Sequence, residues 1–136
     1  MTGKRIFAGI ALLAATTSSA AACTIPDGWT MMQVEHTHSS KIALELPPTP
    51  VKIGEPFSID FLVCADPQPS IGNIRLDATM PAHKHGMNYK PEILEVADNI
   101  FRGSGMFFHM PGEWQISVEL LIDGESRRFL LKVPAR

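Results

Sequence analysis

The chain has 136 residues, 45% of them hydrophobic and 19% charged, with a formal net charge of −2. That length suits one domain with a modest single core. The charge balance lacks the basic excess that nucleic-acid binding needs, so no nucleic-acid partner is expected.

The first element in chain order reads as a cleaved signal peptide, residues 1–22. Lys4 and Arg5 form a positive region, Ile6 to Ala15 an apolar run, and Ala20-Ala21-Ala22 a small-residue cleavage site before Cys23. The apolar run is too short to anchor the chain across a bilayer. Cleavage would leave residues 23–136 and remove two basic residues, so that 10 basic residues face 14 acidic ones at a net charge of −4. The expected location is the periplasm.

Residues 23–40 read as an irregular lead-in containing Met31, Met32, His36 and His38. The simplest view of that cluster is a solvated segment without a role; the alternatives are that it folds across to contribute a ligand or forms a separate weak Cu(II) site. From Lys41 onward, short runs of period two are broken by Pro and Gly, the pattern of half-buried strands. Ile42, Leu44 and Leu46 alternate until Pro47-Pro48-Thr49-Pro50; Phe57, Ile59, Phe61 and Val63 form the next run. Ile74, Leu76 and Ala78 lead into Met80-Pro81, and weaker strands are expected over 92–97 and 100–108 around Asp98-Asn99. The clearest strand carries Trp114, Ile116, Val118, Leu120 and Ile122, and Asp123-Gly124 then makes a tight hairpin into 127–133. No helical apolar period is present in 23–136. About seven short strands in ~110 residues predict an all-β domain over 41–136, a single antiparallel β-sandwich of immunoglobulin-like or cupredoxin-like layout.

Cys23 and Cys64 are the only cysteines. In an exported chain an even pair is most simply a disulfide, tying the N-terminus of the exported part to a strand. The alternatives are a lipidated Cys23, which alone would bring the chain to a membrane, and thiolate ligation of a metal. Ala20-Ala21-Ala22-Cys23 fits lipidation poorly, because a larger aliphatic residue is usual three positions before such a cysteine.

Two segments carry the chemistry. Met80-Pro81-Ala82-His83-Lys84-His85-Gly86-Met87 and Phe108-His109-Met110-Pro111-Gly112 hold three of the five histidines and three of the seven methionines between them, with Met106 just upstream of the second. Imidazole nitrogen with thioether sulfur suits copper, Cu(I) above Cu(II), whereas calcium and magnesium require oxygen ligands. His83, His85, Met87, His109 and Met110 are the expected ligands. Met80, by strand parity, faces inward and is a core residue first and a ligand second; Met106 is equally suited to either role. Pro81 and Pro111 stiffen the two loops, and Gly86 and Gly112 are placed to supply positive φ. Tyr89 and Trp114 read as packing residues first, with shielding of a Cu(I) site by its ring the alternative for Trp114. In a sandwich these two loops are expected at the same end, so ligands sit on loops of a rigid scaffold.

No Gly-X-Ser-X-Gly elbow, His-Glu-X-X-His or phosphate loop is present, so the chain does not read as an enzyme. Blue-copper electron transfer would need a thiolate beside two histidines, and Cys64 lacks the required spacing.

On the two segments quoted above, the chain resembles the YtkA-like family, small exported β-sandwich domains associated with copper handling, over roughly residues 54–134. The resemblance implies an immunoglobulin-like fold, a metal-facing loop at His83, His85 and Met87, and a partner segment at His109 and Met110. The expected function is Cu(I) buffering or delivery, with a cuproenzyme or oxidase under assembly as partner. The competing expectation is a non-catalytic interaction domain whose His/Met loops contact a membrane protein without metal.

Overall fold

Apolar residues at every second position can bury one face of a strand and leave the other wet, and two such faces closed on each other make a sandwich. A computed structural model describes residues 23–136 in this form; the expected signal peptide, residues 1–22, lies outside the described residues. The strands in chain order are β1 (Thr30–Met31), β2 (Gln33–Val34), β3 (Lys41–Glu45), β4 (Pro56–Cys64), β5 (Ile71–Met80), β6 (His85–Gly86), β7 (Glu92–Ala97), β8 (Ile100–Phe107), β9 (Gly112–Ile122) and β10 (Glu125–Ala135). They form two antiparallel sheets, ordered β1-β3-β4-β8-β7 and β2-β10-β9-β5-β6. The seven strands of five residues or more are the seven the sequence predicts. Their order, β3-β4-β8-β7 against β10-β9-β5, is the ABED/GFC arrangement of an immunoglobulin-like sandwich.

The core lies between the sheets. Trp114, Ile116, Val118, Leu120 and Ile122 of β9 are all buried, as are Ile59, Phe61 and Val63 of β4; of the residues between them Asp60, Gln115, Glu119 and Leu121 are half-buried on the other face, while Leu62 and Ser117 are buried there too. Gly103 of β8 sits where the sheets approach most closely, because a Cβ there would collide with the Leu76 side chain of β5. Met80 and Met106, weighed above as additional ligands, are 1% and 0% exposed and belong to this core.

The lead-in differs from its expected irregular form. β1 adds to the β3 edge of one sheet, β2 adds to the β10 edge of the other, and Met32 between them is 6% exposed and packed in the core. Two-residue strands carry no detectable period, so nothing in the pattern announces them. A second crossing follows β3, where Val51 makes a parallel bridge to Ala135 of β10, with Val51 N–H donating to Pro134 O at 2.9 Å and Arg136 N–H to Val51 O at 2.9 Å.

Cys23 and Cys64 form a disulfide with a Cα–Cα distance of 5.6 Å, so the sulfur of Cys23 is engaged in the protein and neither cysteine is free. Ion pairs decorate the outer faces. The best formed is Arg102 on β8, which donates two hydrogen bonds of 2.7 Å to the carboxylate of Asp60 directly opposite on β4. The hydrogen bond to Asp60 and then its charge raise the guanidinium pKa above its ordinary value.

Candidate metal centre

The register of the strands fixes which ends share a rim. Pro56 pairs with Phe107, Gly112 pairs with Ala135, and β5 ends at Met80 opposite His85. The β5–β6 loop and the β8–β9 loop therefore meet at one end of the sandwich, as the alternation of strands predicts.

The first loop is a hairpin. Pro81 follows Met80 at the position where its fixed φ favours a turn, and His83 N–H donates to Met80 O at 3.0 Å. Lys84 then takes a left-handed conformation at φ 53° and returns the chain to β6. The positive φ expected of Gly86 thus falls on Lys84. Glycine serves at 86 for a different reason: a Cβ there would lie 3.1 Å from Ala78 O, closer than a side chain tolerates comfortably. Gly112 does adopt positive φ, at 135°, and a Cβ on it would sit 2.7 Å from Met80 Cε.

The second loop is pinned from three sides. Gly54 N–H donates to Phe108 O at 2.9 Å, the Trp114 indole Nε1–H donates to Met110 O at 2.9 Å, and β9 begins at Gly112. Phe108 stacks on Trp114 at 4.5 Å with an interplanar angle of 6°, which holds the loop against the core.

The histidines converge from these two supports. The ring of His85 lies 5.8 Å from that of His83 and 5.3 Å from that of His109, centroid to centroid. Two imidazole nitrogens about 2 Å from a shared metal place the ring centres roughly 5 Å apart, so this spacing is of the right size. His83 reaches His85 through the turn and not along an extended i, i+2 face. His85 and His109 both set an edge against Trp114, at 6.3 Å and 5.4 Å. His83 and His109 are exposed, while His85 is half-buried and its Nδ1 is buried without a hydrogen-bond partner. An unpaired buried polar nitrogen costs about 1–3 kcal/mol, and a ligand bound at that atom would remove the cost.

The sulfurs are arranged less simply. Met87 is half-buried, and its Sδ accepts a hydrogen bond from Phe107 N–H at 3.5 Å, so it joins the two loops across the rim. Met110 is half-buried against the core, held through its carbonyl by Trp114. Among the described residues, no group of three or more His, Cys, Asp or Glu side chains is arranged to hold a metal ion by those residue types alone. A metal at this rim would accordingly need thioether sulfur beside the imidazoles.

One contributor escapes the sequence reading and one exceeds it. Trp114 packs as expected, and its ring also sets an edge to two of the candidate ligands while its indole N–H fixes the backbone of a third. Phe107 contributes only a backbone N–H, for which no residue type is diagnostic. Of the remaining candidates, His38 Nδ1 accepts Ser40 N–H at 3.0 Å and His36 is exposed near Glu35 and Arg128 on the β2–β10 side, remote in register from the rim. Compared with protein-family models, curated proteins and solved structures, the chain matches none.

Proposed function

We propose that this protein binds copper in an exported, oxidising compartment, the periplasm, and buffers Cu(I) or hands it to an oxidase or other cuproenzyme. The observation that carries the reading is the convergence of His83, His85 and His109 from two separate loops, with Met87 and Met110 beside them. Neutral imidazole and thioether donors suit Cu(I) and leave it exchangeable, since no thiolate holds it. His83 and His109 would take the ion at the surface, and His85 would hold it from below through a nitrogen otherwise unpaired. The likeness of both segments to the YtkA-like pattern supports the same reading, and the disulfide suits the compartment.

Anaerobic titration with Cu(I) against a chromophoric chelator tests it. One equivalent should bind tightly, and the double variant His83→Ala/His109→Ala should remain folded and lose that binding. Unchanged affinity in the variant overturns the assignment.

A second reading draws on the exposure of His83, Lys84 and His109. Here the loops contact a membrane-protein partner without metal. Equal capture of that partner by metal-free and copper-loaded protein would favour it.

A further inference from the structure

The connections between strands sort by charge according to the end of the sandwich they occupy. Four stand at the disulfide end: 35–40, which leads into Lys41 opposite Cys64; 65–70; 98–99, where Asn99 O accepts Val63 N–H; and 123–124, tied to Ser70. They carry Glu35, Asp66, Asp98 and Asp123 and no lysine or arginine. Of these acids only Glu35 is ion-paired among the described residues, to Arg128 at 3.3 Å. Four other connections stand at the histidine rim: 46–55, 81–84, 87–91 and 108–111. Gly54 N–H donates to Phe108 O there, and Tyr89 sets an edge against Phe107 at 5.4 Å. Their charges are Lys52, Glu55, Lys84 and Lys90, and Lys52 is matched by Glu55 at 3.7 Å. Nearby, Glu113 is held by Lys132 at 3.0 Å. Lys84 and Lys90 are exposed and have no ion-pair partner among the described residues. A chain with more acids than bases thus turns a basic end outward where its histidines lie.

We propose that this rim is a docking surface for an acidic segment of a partner protein, seated on Lys84, Tyr89 and Lys90. Charge complementarity argues for that occupant, since two exposed ammonium groups lack a counter-ion and carboxylates supply one. Tyr89 lies next to Lys90 and is 56% exposed, a large ring with a polar tip of the kind that anchors protein contacts. Both residues line the cleft beside β5, where Arg75 already faces Asp77 at 3.8 Å and Lys90 is the cation left over. Met87 lines the same cleft. A segment docked here would therefore meet the end of the molecule that carries exposed His83 and His109. The opposite end, with Asp66, Asp98 and Asp123, repels the same segment, so the field of the whole molecule turns the partner toward the rim. The inference names the chemistry of what approaches the rim and stands apart from whether copper is held there.

Hexaglutamate is the probe, titrated into metal-free, isotope-labelled protein and followed by amide chemical shifts. At about 10 mM ionic strength, where charges act over about 30 Å, the shifts should move saturably in 81–91 and stay fixed at 98–99 and 123–124. Hexalysine should reverse that pattern. Raising the ionic strength to about 150 mM should weaken hexaglutamate binding roughly tenfold. Lys84→Glu/Lys90→Glu should abolish the binding, Lys90→Glu alone should weaken it roughly threefold, and Lys84→Arg/Lys90→Arg should keep it. Unmoved amide shifts at the disulfide end show that each variant is folded. Hexaglutamate shifts centred on Lys41 or Arg136, equal binding by the Glu and Arg double variants, hexalysine binding at the rim, or no saturable shift overturns the proposal. Every readout is taken without metal, so failure here leaves the copper titration standing, and the reverse.

Discussion

At the scale of single residues, the two positions that matter most for shape carry no chemistry. Gly103 and Gly112 are places where another side chain already occupies the space a Cβ would need, Leu76 in one case and Met80 in the other. Gly103 lies in the middle of β8, paired with Ile59 and Ile93 on either side, so the backbone has little freedom to move away. Gly103→Ala should therefore destabilise the fold by about 1–3 kcal/mol through overpacking, read as a lower denaturation midpoint in urea with an unchanged slope. An unaltered midpoint would mean that Leu76 repacks freely. A glycine inside a strand signals a bulge or a close approach without saying which neighbour is close, and this one passed unnoticed in the sequence. The histidines and methionines are the opposite case. Their types and spacing mark a candidate site, yet the sulfur of Met87 ends against a backbone N–H that no motif specifies.

Elements fold here largely as their local pattern dictates. Phe57, Ile59, Phe61 and Val63, or Trp114 through Ile122, read directly as strands because burial alternates with the pleat. The β9–β10 hairpin is equally legible: Asp123 at φ 51° and Gly124 at φ 81° supply the two positive φ values of a tight two-residue turn. Asp123 does more than turn the chain. Its carboxylate accepts Ser70 N–H at 2.9 Å and its own N–H donates to Ser70 O at 2.9 Å, so the hairpin tip is tied to the start of β5. Gly124→Ala would force a Cβ into the left-handed region and should cost about 1–2 kcal/mol. Thermal unfolding checks this, and a variant as stable as the parent would show that the turn tolerates a different type. β1, β2 and the Val51 bridge were not legible, because each is too short for periodicity and depends on where β3 and β10 lie in space.

For the whole molecule, the disulfide and the histidine rim stand at opposite ends. β4 runs from Pro56, beside Phe107 at the rim, to Cys64, and nine extended residues span roughly 30 Å. The bond closes a sequence separation of 41 residues. Restraint of the unfolded chain by a loop of that size is worth about 2–4 kcal/mol. Reduction, or Cys23→Ser/Cys64→Ser, should lower the melting temperature by roughly 10 °C or more and leave the proposed copper binding at the far end unaffected. A melting temperature indifferent to reductant would show that the lead-in is held by β1, β2 and Met32 alone.

On the β3–β10 side the chain passes between the sheets at Met32 and again at Val51, each tied by backbone pairing. On the β5–β7 side it passes from β6 to β7 through residues 87–91, and this strap lines a cleft of about 590 Å³ together with Ile74, Leu76 and Ile93. One margin of the sandwich is thus stitched at separate points and the other is spanned by a single strap. Thermal opening that leaves both sheets intact should begin at the strapped margin. Met87 opens that strap and also stands at the rim, so whatever holds the strap down steadies one of the sulfurs beside the histidines.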